Sequence, residues 1–155
     1  MAVTTQNYLA KSEVKLDVAR GETDIDVSAA DYTSYQALLT IAPPTGEVLT
    51  DVEIVFDLAK ATTGFAAGHT SQTITFAVQR KVDGTNWRTD LASQSTAVSG
   101  TNSAAAAQRL VLGTVGPQEQ ARIVVKLSAE NAVDVELPYA LTYRGERPTI
   151  TEVAA

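Results

Sequence analysis

The clearest structural signal in this sequence is the stretch TITFAVQRKVDGTNWRTDL, which runs from Thr73 to Leu91. Its first half alternates with a period of two, which places Ile74, Phe76 and Val78 on one face of a strand. Asp83-Gly84 then supplies a residue pair that tolerates positive φ in a tight turn. The stretch therefore predicts a β-hairpin whose first strand is buried on one face.

Strand-like segments flank this hairpin along the rest of the chain. Val52, Ile54, Phe56 and Leu58 share one face of a long strand that begins at Val48. The other strand-like segments are VKLDV from Val14, DIDV from Asp24, YQALLTI from Tyr35, QRLVLGTV from Gln108, ARIVVKL from Ala121, VDVEL from Val133 and LTY from Leu141. About eight strands at this close spacing, with no helical period, predict an all-β fold, a single antiparallel β-sandwich with a jelly-roll-like topology.

Two positions in this pattern are interpreted as interruptions. Arg20-Gly21-Glu22 has turn chemistry and separates two short strands, in the first of which Leu16 and Val18 alternate with a charged outer face. Pro138 ends or bends the pairing after Leu137, because proline has no backbone donor for a ladder.

The predicted β-sandwich domain occupies residues 13–144, between two flexible arms. Residues 1–12 form the N-terminal arm and residues 145–155 form the C-terminal tail, because neither continues the strand pattern. Arms of this kind dock on a partner through their few apolar side chains. The apolar residues assigned to partner binding are Tyr8, Leu9, Ile150 and Val153.

Two long loops are predicted within the domain. Lys60–Ser71 surrounds Phe65 and His69 with small residues, and both side chains are assigned to partner binding because loops of this length are often functional. Ala92–Ala107 is a low-complexity stretch that predicts a surface loop. Trp87, the only tryptophan, is interpreted as a packing residue of the hairpin.

Composition excludes several classes of partner. The 155 residues carry a net charge of -6, which repels a phosphate backbone, so nucleic acid is not expected to bind. No basic run and no apolar stretch of about 20 residues points to a membrane. The N-terminus lacks the pattern of a secretory signal, so synthesis and retention in the cytoplasm, or export by another route, is expected.

The chemical inventory is also sparse. The chain has no cysteine and one histidine, His69, with no G-x-S-x-G pattern for a nucleophile. Asp51, Glu53 and Asp57 share one strand face, where a solvated surface explains them better than a glycosidase pair. The sequence therefore predicts a non-enzymatic protein without a cofactor or a metal site.

The segment FAVQRKVDGTNWRTDL, the small-residue loop after it and RLVLGTVGPQEQARIVVKL together resemble the capsid decoration, or cement, proteins of tailed bacteriophages. The resemblance covers about the second half of the chain. It implies a homotrimer that is made in the host cytoplasm and then binds the outer capsid surface of the virion. Its partner would be the major capsid protein, whose neighbouring subunits it would bridge.

A second class of function is also compatible with the sequence. A carbohydrate-binding module or a phage receptor-binding domain is often a β-sandwich with aromatic side chains along a groove. Trp87, Phe65 and the tyrosines would supply those side chains.

Overall fold

The structure, a computed structural model, describes residues 15–25, 34–58, 72–98, 107–127 and 135–152. Within these ranges the chain forms β-strands and no helix, as predicted. The strands are β1 (Leu16–Ile25), β2 (Gln36–Ala42), β3 (Leu49–Asp57), β4 (Gln72–Lys81), β5 (Arg88–Val98), β6 (Ala107–Val115), β7 (Gln120–Leu127), β8 (Val135–Arg144) and β9 (Thr149–Glu152).

These strands form two antiparallel sheets. The first sheet has the order β1-β8-β3-β6, and the second has the order β5-β4-β7-β2-β9. Four of the pairings are nested along the chain, since β4 pairs with β5, β3 with β6, β2 with β7 and β1 with β8. The chain is thus a long ribbon that folds back at the β4–β5 hairpin and wraps into two sheets. This confirms the predicted jelly-roll sandwich.

The hydrophobic core lies between the two sheets. Val52, Ile54, Phe56 and Leu58 are all fully buried, which confirms the predicted inner face of β3. The ring of Phe56 stacks on that of Phe76 in the second sheet at a centroid distance of 5.3 Å. This aromatic contact joins the two sheets near the middle of the core.

The first strand differs from its prediction in two ways. β1 is continuous through Gly21, so this glycine does not form a turn. A Cβ at this position would lie 2.6 Å from the Tyr139 hydroxyl oxygen, and the glycine therefore provides the space that Tyr139 needs. The predicted face is also inverted in the first half of the strand, where Ala19 is buried and Leu16 points outward and is 52% exposed. Ile25 is buried, as its alternation with acidic neighbours predicts.

Pro138 lies inside a strand and does not end one. β8 is continuous from Val135 to Arg144, and Pro138 pairs with Glu22 of β1. Pairing between β8 and β3 includes Tyr139, which pairs with Phe56, but not the preceding residue, Pro138. Proline is tolerated there because the strand has a partner on one side only at that position.

Two further interpretations need correction. Thr149–Glu152, which belong to the predicted C-terminal tail, form β9 and pair with β2. β5 continues to Val98, so its backbone includes the first part of the loop predicted over Ala92–Ala107. In both places a polar, weakly periodic sequence is held in strand form by the neighbouring strand, which supplies the backbone hydrogen bonds.

A single arginine ties the two sheets together beside β6. Arg80 occupies an inward position near the end of β4, and its side chain is 12% exposed. Its guanidinium donates to the backbone oxygen of Leu112 at 2.6 Å and to that of Thr114 at 2.5 Å. It also pairs with Asp90 at 2.7 Å and with Glu119 at 3.2 Å. Because β6 is the edge strand of the first sheet, these carbonyl groups have no strand partner on that side.

The opposite side of the sandwich is closed by two side-chain contacts. The Thr23 hydroxyl of β1 donates to the backbone oxygen of Leu38 in β2 at 2.6 Å. The Tyr139 hydroxyl of β8 donates to the Glu152 carboxylate of β9. Burial is the main reason that the pKa of Tyr139 is raised, and the Glu152 contact raises it further. This side therefore depends on β9 being in its place.

Replacing Arg80 with methionine is expected to lower the free energy of unfolding by about 2–4 kcal/mol, because two carbonyl oxygens and two carboxylates lose their donor. Urea denaturation measures the change. Arg109→Met is the matched control, since Arg109 is 65% exposed and its ion pair with Glu53 lies at the surface. Equal losses in the two variants would contradict this role of Arg80.

Replacing Gly21 with alanine is expected to destabilise the protein by about 1–3 kcal/mol, because the new methyl group overlaps Tyr139 and displaces its contact with Glu152. Thermal denaturation measures the effect. Gly116→Ala is the control, because a Cβ there would come no closer than 3.6 Å to the Glu119 side chain. A Gly21→Ala variant as stable as this control would show that the space is not needed.

Candidate functional site

The predicted partner-binding residues fall mostly outside the described part of the chain. Tyr8, Leu9, Phe65, His69 and Val153 lie outside the described residues, as does the Lys60–Ser71 loop. Ile150 lies on β9 and packs against the hydrophobic core. Its side chain is partly buried there, and its assignment to partner binding stays a prediction.

Trp87 lies on the outside of the second sheet. It is half-buried and does not belong to the core between the sheets, so it packs on the hairpin surface and not in the sandwich. The Lys81 ammonium lies 5.1 Å from the ring centroid of Trp87, and the Arg122 guanidinium lies 4.4 Å from it. Both distances are in the range of cation–π contacts.

A second contact of the same kind lies further along the same sheet. The Lys126 ammonium is 4.9 Å from the ring centroid of Tyr35. Arg122 and Lys126 both point outward from β7, four residues apart, which corresponds to roughly 13 Å along a strand. The five side chains that form this cation–aromatic row are Tyr35, Lys81, Trp87, Arg122 and Lys126.

Among the described residues, the cations of the row contact neutral and aromatic side chains. Arg122 donates to the side-chain oxygen of Gln79 at 2.8 Å, and burial lowers its pKa. None of Lys81, Arg122 and Lys126 forms an ion pair within the part of the chain that the structure describes. Three cations of a protein whose net charge is -6 therefore lie together on one face without an ion pair to a described carboxylate.

The outer face of the first sheet has a different character. Val55, Pro138 and Ala140 form the floor of a shallow groove of about 330 Å³, and Arg20 and Asp57 stand beside them. Leu16 and Val111 extend the apolar surface to the edges of the sheet and are 52% and 57% exposed. We call this surface the first-sheet groove.

Ion pairs border this groove on the β3 side. Arg109 of β6 pairs with Glu53, and Arg144 of β8 pairs with Asp51 at 2.8 Å. The predicted acidic outer face of β3 is therefore largely neutralised by arginines of its neighbouring strands. A surface with an uncharged floor and a charged border is typical of a protein-binding patch.

The described residues contain no arrangement that suggests catalysis by a metal. No group of three or more His, Asp or Glu side chains comes together there in a way that would hold a metal ion. No part of the described chain forms a helix with the length and hydropathy of a membrane span.

The sequence carries signals for two further features of the structure. The inward series Ile74, Phe76 and Val78 continues to Arg80, and a charge at an inward position indicates a buried hydrogen-bonding role. In ARIVVKL the outward positions are Arg122, Val124 and Lys126, so two cations on one face were visible from the period. Their proximity to Trp87 and Tyr35 depends on pairing between distant strands.

The turn of the β4–β5 hairpin is organised by Asp83. Its carboxylate accepts hydrogen bonds from the backbone N–H of Asn86 at 2.7 Å and of Thr85 at 2.9 Å, and from the Asn86 side chain at 2.8 Å. Gly84 has a φ of 77°, as the predicted turn requires. These donors, the Asn86 backbone first, lower the pKa of Asp83 to about 2.

Comparisons with known proteins give one structural neighbour to report. No family model and no curated protein matches the chain. The chain is similar in structure to the CBM22-1 xylan-binding domain of Paenibacillus barcinonensis Xyn10C, at 14% sequence identity and a TM-score of 0.32. The similarity covers 93% of this chain and 85% of that domain. The function proposed below therefore depends on the chain's own surfaces.

Because the pKa of Asp83 is depressed to about 2, its contribution to stability is present above the unfolded pKa of about 3.9 and is lost as the pH falls through 2. The carbon shift of the Asp83 carboxyl in an NMR titration measures this pKa. Asn86→Ala is expected to raise it, since the variant removes one donor and keeps the backbone donors. A wild-type midpoint near 3.8, the ordinary value, would contradict the hydrogen-bonded turn.

Proposed function

We propose that this chain is a non-enzymatic structural protein of a tailed-phage virion, which binds the outer capsid surface and stabilises it by bridging major capsid subunits. Synthesis in the host cytoplasm and assembly as a homotrimer belong to the same proposal. The observation that carries it is the first-sheet groove, an open sheet face with an apolar floor. Such a face is better suited to docking on another protein than to enclosing a small molecule.

Two properties of the first-sheet groove support this role. Its floor consists of Val55, Pro138 and Ala140, whose short side chains let a partner approach the sheet closely. Leu16 and Val111 are large apolar side chains more than half exposed, and they widen the contact area at opposite edges of the sheet. Burial of these side chains against a partner would stabilise the complex by about 25 cal/mol for each Å² of apolar surface removed from water.

The resemblance of the second half of the chain to capsid decoration proteins supports the same conclusion from the sequence. The jelly roll by itself does not separate the candidates, since both viral capsid proteins and lectins use it. The groove favours a protein partner, because a sugar-binding surface normally offers exposed aromatic rings. The two aromatic residues that line the groove, Phe56 and Tyr139, are both buried.

A receptor- or carbohydrate-binding module is the second candidate, and the cation–aromatic row is the observation that favours it. Trp87 and Tyr35 lie half-buried on the outer face of the second sheet, where a sugar ring would pack. Arg122 at 4.4 Å already covers part of the Trp87 ring, which leaves less of it for a neutral sugar. A glycan array with Trp87→Ala as the control tests this candidate.

Quantitative mass spectrometry of purified virions tests the proposed function. Hundreds of copies per particle are expected, because a cement protein covers the whole shell, whereas a few copies at the tail would contradict it. Val111→Glu is expected to weaken attachment to shells that lack the protein by about tenfold or more, because it places a charge in the docking surface.

Val82→Glu is the matched control for this substitution. Val82 is 66% exposed, similar to Val111, but it lies on the β4–β5 turn and away from the groove. Attachment of this variant is expected to equal that of the wild-type chain. If both variants attach normally, the first-sheet groove is not the docking surface.

A further inference from the structure

The cation–aromatic row has an electrostatic property that capsid docking through the first sheet does not use. Lys81, Arg122 and Lys126 carry positive charge on one face of an acidic protein, and within the described residues no carboxylate pairs with any of them. Arg122 is also partly desolvated beside Trp87. A cation that has lost water without gaining an anion binds an incoming anion more strongly than a solvated one does.

We propose that this row binds an anionic polysaccharide. Arg122 and Lys126 contact acidic groups on sugars that lie above β7, where Val124 between the two cations is itself buried. Trp87 and Tyr35 hold these cations in place, and only the parts of their rings that the cations leave uncovered pack against the sugars. Gln79 supplies an amide next to Arg122 for hydrogen bonds to sugar hydroxyl groups.

The spacing of the charges favours a polysaccharide over a nucleic acid. Arg122 and Lys126 are separated by roughly 13 Å along the strand, whereas each strand of a DNA duplex carries a phosphate for about every 3.4 Å of helix axis. The net charge of -6 repels a polyanion of such density at long range. A glycan with one acidic group in each disaccharide matches the sparse cations and meets less repulsion.

The location of the row on a sheet face favours a polysaccharide over an acidic peptide. Extended peptides that bind sheets do so at an edge, where the backbone groups are free. The row lies over β4 and β7, which are interior strands of the second sheet, so their backbone groups are already paired. Only side-chain contacts are available there. A polysaccharide with sparse acidic groups can bind through such contacts alone.

This inference rests on the second candidate function and narrows it from glycans in general to acidic glycans. It does not depend on the first-sheet groove, which lies on the opposite side of the sandwich. A virion protein has room for both contacts, since one sheet would face the shell and the other would face outward. If one of the two proposed contacts is absent, the other can still be measured.

Isothermal titration calorimetry of the full chain with a hyaluronan oligosaccharide, which has one carboxylate per disaccharide, tests the inference. Binding at low salt that weakens at high salt is expected. The double variant Arg122→Gln/Lys126→Gln is expected to raise the Kd by about tenfold or more, because it removes both charges of β7 from the row. The carboxyl-reduced oligosaccharide is the neutral probe and is expected to bind at least tenfold more weakly, roughly as the double variant binds the acidic form.

The matched control is Arg20→Gln/Arg109→Gln, which removes the same net charge from the outer face of the first sheet. Its affinity for hyaluronan is expected to stay within about twofold of wild type, and circular dichroism checks that both double variants fold. Absence of hyaluronan binding, equal binding of the neutral probe or equal loss in the two double variants would each overturn the proposal. Tighter binding of poly-glutamate or oligo-thymidylate would overturn it in favour of a peptide or a nucleic acid.

Discussion

The whole sandwich depends on the point where the chain folds back between β4 and β5. Asp83 holds this turn with three hydrogen bonds, and Gly84 supplies the positive φ that it needs. From there the pairs β4–β5, β3–β6, β2–β7 and β1–β8 are nested outward. A shift of one residue in the register of this hairpin would turn the core side chains of the shifted strand toward solvent.

Arg80 stabilises the same region across the two sheets. It lies two strand positions beyond Val78 on the inner face of β4, where the core gives way to solvent. A hydrophobic residue there would leave the edge oxygens of Leu112 and Thr114 without donors, whereas the guanidinium satisfies both and two carboxylates as well. The hairpin therefore contains both the turn and Arg80, the side chain that connects the hairpin to the first sheet.

The sequence was sufficient for the hairpin, the fold class and the inner face of β3, because each follows from local periodicity or turn chemistry. It misplaced the role of Gly21, because that role depends on the space that Tyr139 needs, more than 100 positions away along the chain. It also misplaced Leu16, which lies on the outer face of β1. β9 was missed because this short polar strand is held in place by its pairing with β2, which the local sequence does not show. The cation–aromatic row was also out of reach, since Tyr35, Trp87 and Arg122 meet only through pairing of distant strands.

Arg80 has one more consequence, which concerns the solubility of the chain at high concentration. The edge of a β-sheet is a template on which a second chain can add a strand, and proteins made in many copies are the most exposed to that risk. On β6 the oxygens of Leu112 and Thr114 are already occupied by the guanidinium, and charged groups surround them. The arginine that fastens the sandwich thus also protects this edge against aggregation.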